Sequence, residues 1–152
     1  MAEGFIIQTA GASTLSAATA RTIILANSTA TNTLITELGV SFDGVTSTGG
    51  QVVVELNTVT GGTTGTLTAQ TPVQTRGWGS VAPQTTGRVN YTVEPATQTI
   101  QRTWLIPMNG AFVVQFPLGR EPSLQASTNF SYLIRCTAPS TVGVRGYMEI
   151  EE

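Results

Sequence analysis

A chain of 152 residues suits one domain with a core of its own, and a 40% hydrophobic content, much of it Val, Ile and Phe in short runs, argues against disorder. Only 11% of the residues are charged, against about 25% in ordinary globular proteins; seven are Arg, eight are Glu, Asp43 is the one Asp, and Lys and His are absent. A net charge of −2 without lysine leaves no basic face for nucleic acid or an anionic membrane, the lack of histidine removes Ser-His-Asp and Cys-His nucleophiles and His-ligated metals, and the lack of lysine removes Schiff bases and P-loops.

The first twenty residues, MAEGFIIQTAGASTLSAATA, have no basic residue and an apolar run of only Phe5 to Ile7, so no signal peptide is expected. No stretch approaches the roughly 20 apolar residues of a membrane span. Gly4 to Thr9 is a candidate strand, but Ala10 to Ala20 alternates poorly. Residues 1–20 are therefore expected to form an N-terminal arm or a first edge strand, with 21–152 as the single domain.

Beyond that point period-two alternation dominates, in short runs bounded by Gly, Pro, Asn or Thr. Strands are predicted at Arg21 to Ala26, Thr33 to Phe42 and Gln51 to Val59. In the second, Leu34, Leu38, Val40 and Phe42 share one face while Glu37 and Ser41 take the other. In the third, Val52, Val54 and Leu56 oppose Glu55, and DGVTSTGG (43–50) reads as a hairpin-like connection between the two. Asp43 is a turn former there; a calcium site would want several more oxygen ligands close by.

Two segments alternate less cleanly. TVTGGTTGTLT (58–68) reads as a mobile connection or a β-bulged edge. QTPVQTRGWGSVAPQTTGR (70–88) reads as a long loop carrying Arg76 and Trp78, and loops of that length in compact domains are usually functional or contact a partner. Trp78 is either an exposed anchor, which could also stack on a sugar, or an apolar cap folded onto one end of the domain.

Further strands are predicted at Val89 to Val93, Thr99 to Ile106, Ala111 to Phe116, Asn129 to Thr137 and Thr141 to Glu151. PMNG (107–110) carries hairpin chemistry, since Asn and Gly both tolerate positive φ. Trp104 falls in or against the core. Cys136, the sole cysteine, excludes an internal disulfide and falls in phase with Tyr132 and Ile134 as a small buried hydrophobe. Between Phe116 and Pro122 a turn on Pro117 and Gly119 presents Arg120 and Glu121, which point to opposite sides of an extended chain and so reach different partners.

Eight to ten short strands with turn signals about every ten residues indicate an all-β fold, an antiparallel β-sandwich with a jelly-roll-like course. Carboxylate-pair chemistry drawn from Glu37, Glu55, Glu94 and Glu121 is the remaining catalytic option. Glu37 and Glu55 lie on the polar faces of adjacent predicted strands, where solvated or Arg-paired surface is the plainer reading. The sequence thus predicts a non-enzyme with no cofactor and no metal, and its candidate partner-contacting residues are Arg76, Trp78, Arg120 and Glu121.

The stretches ITELGVSFDGV (35–45), GRVNYTVEPA (87–96), WLIPMNGAFVVQFPLGREP (104–122) and RCTAPSTVGVRGYMEIEE (135–152) resemble small virion proteins encoded beside the major capsid protein in tailed bacteriophages, the capsid decoration or cement proteins. That resemblance implies a β-sandwich, often a homotrimer, that is made in the host bacterial cytoplasm, sits on the outer capsid surface and bridges neighbouring major capsid protein subunits. A Thr/Ser-rich, charge-poor surface, about a quarter of the chain being Thr or Ser, would suit such a shell component. A carbohydrate- or receptor-binding module of a tail or fibre is the alternative, carried by Trp78.

Overall fold

The computed structural model describes residues 2–45, 49–61 and 65–152, through which thirteen strands run. They are β1 (Gly4–Gln8), β2 (Ser13–Leu15), β3 (Ala20–Ser28), β4 (Thr33–Phe42) and β5 (Gln51–Thr60). Then come β6 (Thr66–Gln70), β7 (Val73–Arg76), β8 (Thr85–Val93) and β9 (Gln98–Pro107). The last are β10 (Ala111–Gln115), β11 (Ser123–Leu124), β12 (Phe130–Thr137) and β13 (Val142–Glu151). Sheet I runs β10-β4-β13-β1-β7, with β11 beside β4 and β2 beside β13, and sheet II runs β6-β8-β3-β12-β5-β9.

Every ladder is antiparallel, and the pairs nest: β1 with β13, β3 with β12, β4 with β10, β5 with β9. Nested pairs wound into two facing sheets are the jelly-roll course, so the fold is the expected antiparallel β-sandwich. It has more strands than the eight to ten expected. The additions are the short β2 and β11 and the inserted β6 and β7, which widen sheet II and sheet I respectively on the side away from β9 and β10.

The core between the sheets follows from alternation. Phe5, Ile7, Ile24, Leu38, Val54 and Ile134 are among its fully buried side chains, each worth about 1.5–3 kcal/mol of transfer free energy when removed from water. Cys136 lies in the same core, as expected, and burial pushes its thiol well above the ordinary range. A second small cluster, Leu25, Val59, Tyr91 and Leu133, sits on the outer side of sheet II, because these residues alternate with core residues such as Ile24 and Ile134. A flat sheet would set β8 and β9 four strand spacings apart, about 19 Å, yet five residues from Val93 to Gln98 reach at most about 18 Å. Sheet II therefore curls around this cluster, and the crossing segment is tied down as it passes. Glu94 accepts from the Thr22 N–H (2.7 Å), and Gln98 accepts from Asn57 (3.1 Å) and Arg135 (3.2 Å).

Several expectations need correction. Residues 2–20 are not a free arm: β1 lies inside sheet I between β13 and β7, with Phe5 and Ile7 in the core, and only the short β2, which pairs with β13 alone among the described residues, is an edge piece. On β4, Ile35 rather than Leu34 reaches the core, because a register shift opposite Glu149 and Ile150 inserts one residue and reverses the phase. PMNG is not a hairpin. It carries the chain from sheet II to sheet I, with Gly110 N–H donating to Pro107 O at 2.9 Å and positive φ at neither Asn109 nor Gly110. The 43–50 connection likewise passes between sheets, and its residues 46–48 lie outside the described residues. Within 58–68, β6 is an edge strand with a register shift at Thr66/Thr68, while 62–64 lie outside the described residues. The 70–88 segment is no continuous loop: β7 pairs with β1, and β8 begins at Thr85.

Candidate functional site

The carboxylates do not assemble into a pair. Glu37 lies on the outer face of sheet I and Glu55 on the outer face of sheet II, since β4 and β5 belong to different sheets. Glu55, nearly buried, pairs with Arg135 at 2.9 Å. Glu94 accepts from the Thr22 amide and hydroxyl, and Glu121 stands in the loop before β11. Among the described residues no three His, Cys, Asp or Glu side chains converge as a metal site. Asp43 serves the turn: its Oδ1 accepts from Gly143 N–H at 2.6 Å, tying the end of β4 to the start of β13.

Glu37 has a structural task instead. Its two oxygens accept from the Tyr147 hydroxyl and from Gln115 Nε2 (2.6 Å). Burial, the hydrogen bond to Glu37 and the charges of Glu37 and Glu149 push the Tyr147 phenol up to about 12.

The four partner-contacting candidates split into two places. Arg76 ends β7 and pairs with Glu151 at 2.8 Å, and two residues on Trp78 projects with 78% of its surface exposed. Trp78 is therefore no cap. Arg120 is exposed on a turn closed by its own N–H to Pro117 O (2.9 Å), with Gly119 at positive φ, and it has no side-chain partner among the described residues. Glu121 beside it is half-buried, and Pro122 O anchors the loop by accepting from Ile35 N–H at 2.9 Å. Cross-strand register places Ser123, Leu34, Glu151, Gly4 and Arg76 in one row across sheet I. Four strand spacings, about 19 Å, separate the two pairs, so Arg76 with Trp78 and Arg120 with Glu121 mark opposite edges of one sheet.

A larger feature lies on the β9/β10 side, one that local sequence patterning does not mark. Among the described residues β9 pairs with β5 alone and β10 with β4 alone, so two edge strands leave their outer backbone groups free on the same side. Trp104, Phe112 and Phe116 close the gap between the sheets, with Trp104 and Phe112 centroids 5.1 Å apart and the Arg102 guanidinium 5.0 Å from the Phe116 centroid. Gln101 is the extra residue of a bulge against Leu56 and Asn57, which turns Ile100 to the same outer face as Leu105. Ile100, Leu105 and, on β10, Val113 are each more than half exposed, and Leu118 just beyond is almost wholly so. Long edges usually carry charges or prolines that discourage pairing. Here β9 has one Arg within the strand and a terminal Pro107, and β10 (AFVVQ) has neither.

No family model matches the chain, and comparison with curated proteins finds no match. Among solved structures, a chain titled "Structure of infectious bursal disease virus Gx strain" is similar over 99% of this chain at 13% identity, with a TM-score of 0.15. The protein spans 39% of that chain's length. A likeness of that size carries no argument about this protein.

Proposed function

We propose that the chain is a non-enzymatic virion structural protein, one that decorates a tailed-bacteriophage capsid from outside and stabilises it by bridging neighbouring major capsid protein subunits. The observation that carries this reading is the β9/β10 side, with two nearly charge-free edges and four exposed apolar side chains in a sandwich whose carboxylates are dispersed or committed to structural bonds. Such a surface favours docking over chemistry. The bacteriophage context comes from the sequence stretches that resemble decoration proteins; jelly rolls serve many functions, so the fold alone does not supply it.

The two sides of the sandwich differ, β9 and β10 on one and β6 and β7 with Trp78 on the other. A contact between unlike sides is heterologous, the kind that closes rings, which is consistent with a homotrimer. Many weak contacts on a repeating shell then add to firm retention. Virions lacking the protein should lose infectivity sooner than complete ones on heating or osmotic shock; equal resistance would remove the stabilising role.

A second reading is favoured by one observation, the exposure of Trp78 beside Arg76. In it the chain is a carbohydrate- or receptor-binding module of a tail or fibre. Saturable binding on a glycan array that disappears in Trp78→Ala would support it.

A further inference from the structure

The outer face of sheet I carries a groove of about 300 Å³ that neither reading above uses as a ligand site, although Val113, one of the exposed apolar side chains on the β9/β10 side, forms part of its wall. It arises from the register. Val113, Gly39, Tyr147 and Gln8 stand in one cross-strand row, and Ala111, Ser41 and Arg145 in the next. Gly39 leaves a gap in the first row, and the Tyr147 ring lies across it: a Cβ at Gly39 would collide with Tyr147 Cε1. The ring is held at its far end by the hydroxyl bond to Glu37, whose other oxygen is fixed by Gln115. An aromatic platform therefore stands in one orientation without any ligand.

Three of the groove's polar side chains are uncommitted, while Thr9 is bonded to Gly146 and Tyr147 to Glu37. Arg145 is exposed and has no ion-pair or hydrogen-bond partner among the described residues, and the side chains of Ser41 and Gln8 have none either. One apolar platform with a few convergent polar groups is the ordinary composition of a small-ligand site, and this volume is at the lower end of the usual range, enough for a single ring unit.

We propose that this groove binds one carboxylated pyranose, an acidic sugar unit whose ring packs on Tyr147 and Val113, whose carboxylate pairs with Arg145 and whose hydroxyls meet Ser41 and Gln8. The planar Arg fork matches a carboxylate in two parallel hydrogen bonds, which a neutral sugar cannot use. The apolar face of a pyranose fills the platform, which a bare carboxylate would leave wet. An acidic peptide fits worse. Sites for acidic segments cluster several cations, whereas here a lone Arg145 is followed along the same face by Glu37 and Glu149, one cross-strand pair that would repel a second carboxylate.

The test is an amide NMR titration of the full chain with trigalacturonic acid, with 3′-sialyllactose, with neutral lactose and with a glutamate-rich peptide. At least one acidic sugar should shift Gly39, Ser41 and Gly146 saturably, with lactose at least tenfold weaker. Arg145→Gln, an exposed change, should weaken acidic-sugar binding at least tenfold at unchanged Tm, and Tyr147→Ala should remove it. Trp78→Ala should leave it intact, which separates this groove from the Trp78 reading. The two acidic sugars distinguish a hexuronate from a sialic acid source. Absence of saturable shifts up to about 10 mM sugar, equal binding of lactose, or tighter binding of the peptide would overturn the proposal.

Discussion

Trp104 and Phe112 pack with their ring centroids 5.1 Å apart although they belong to different sheets, Trp104 to the edge strand of sheet II and Phe112 to that of sheet I. Their contact closes the β9/β10 side of the sandwich from within while the backbone of both strands stays open outside. The same side thus holds residues that maintain the fold and residues left exposed for the proposed docking, and substitutions should separate them.

Trp104→Ala should lower unfolding stability by about 3 kcal/mol, the usual loss when a large aromatic leaves a packed site. Leu105→Lys, one residue along and exposed, should change it by no more than about 0.5 kcal/mol. The second variant should instead weaken self-association and capsid binding in sedimentation experiments. Equal effects of the two on urea unfolding would contradict the division.

The two ion pairs should differ in the same way. Glu55 and Arg135 are 11% and 27% exposed, and Arg135 also reaches Gln98, so Arg135→Ala should destabilise by about 2 kcal/mol by leaving a nearly buried carboxylate unpaired. Arg76, 61% exposed in its pair with Glu151, should contribute at most about 0.5 kcal/mol when replaced by Ala, and less in high salt. Chemical denaturation at low and high ionic strength reads both.

The tyrosines predict an alkaline limit. Burial raises the phenol of Tyr91, whose hydroxyl has no partner among the described residues, and that of Tyr132; burial and Glu37 raise Tyr147 to about 12. Raised values favour the neutral form in the fold, while an unfolded tyrosine ionises near 10. The associated stability is fully present below about pH 10 and is lost as the pH climbs toward about 12. Tyrosinate absorbance should therefore stay low in the folded protein at pH 10.5 and rise together with unfolding. Early ionisation of all three tyrosines in the folded protein would contradict this.

Arg120→Ala and Trp78→Ala, on the two edges of sheet I, should each leave Tm nearly unchanged and reduce retention on the capsid. Arg120 makes no side-chain bond among the described residues, and Trp78 buries little of its surface. A large fall in Tm for Arg120→Ala with normal retention would make its turn an ordinary stabilising one.

The strands themselves were legible because alternation is local: the run 33–42 matches β4, and 51–59 differs from β5 by one residue. What escaped was short or exposed, such as β7, four residues with no buried side chain, and the two-residue β11. Pairing escaped for a different reason. Among the described residues no two consecutive strands pair with each other, so no turn reports a register. That is why PMNG reads as a hairpin and is not one, and why Glu37 and Glu55 look adjacent but face away from each other. Bulges complete the loss, exchanging Ile35 for Leu34 in the core and turning Ile100 outward beside Leu105. Trp78 and Arg120 could be singled out because their local sequence exposes them. The β9/β10 side could not, since a strand is an edge only by virtue of distant partners.

The most direct test of the decoration account is a density map of the complete virion. The account predicts jelly-roll density on the outer shell, with each copy touching at least two major capsid protein subunits and with β9 and β10 in a protein contact. Density confined to the tail, or no copies in the particle, would contradict it.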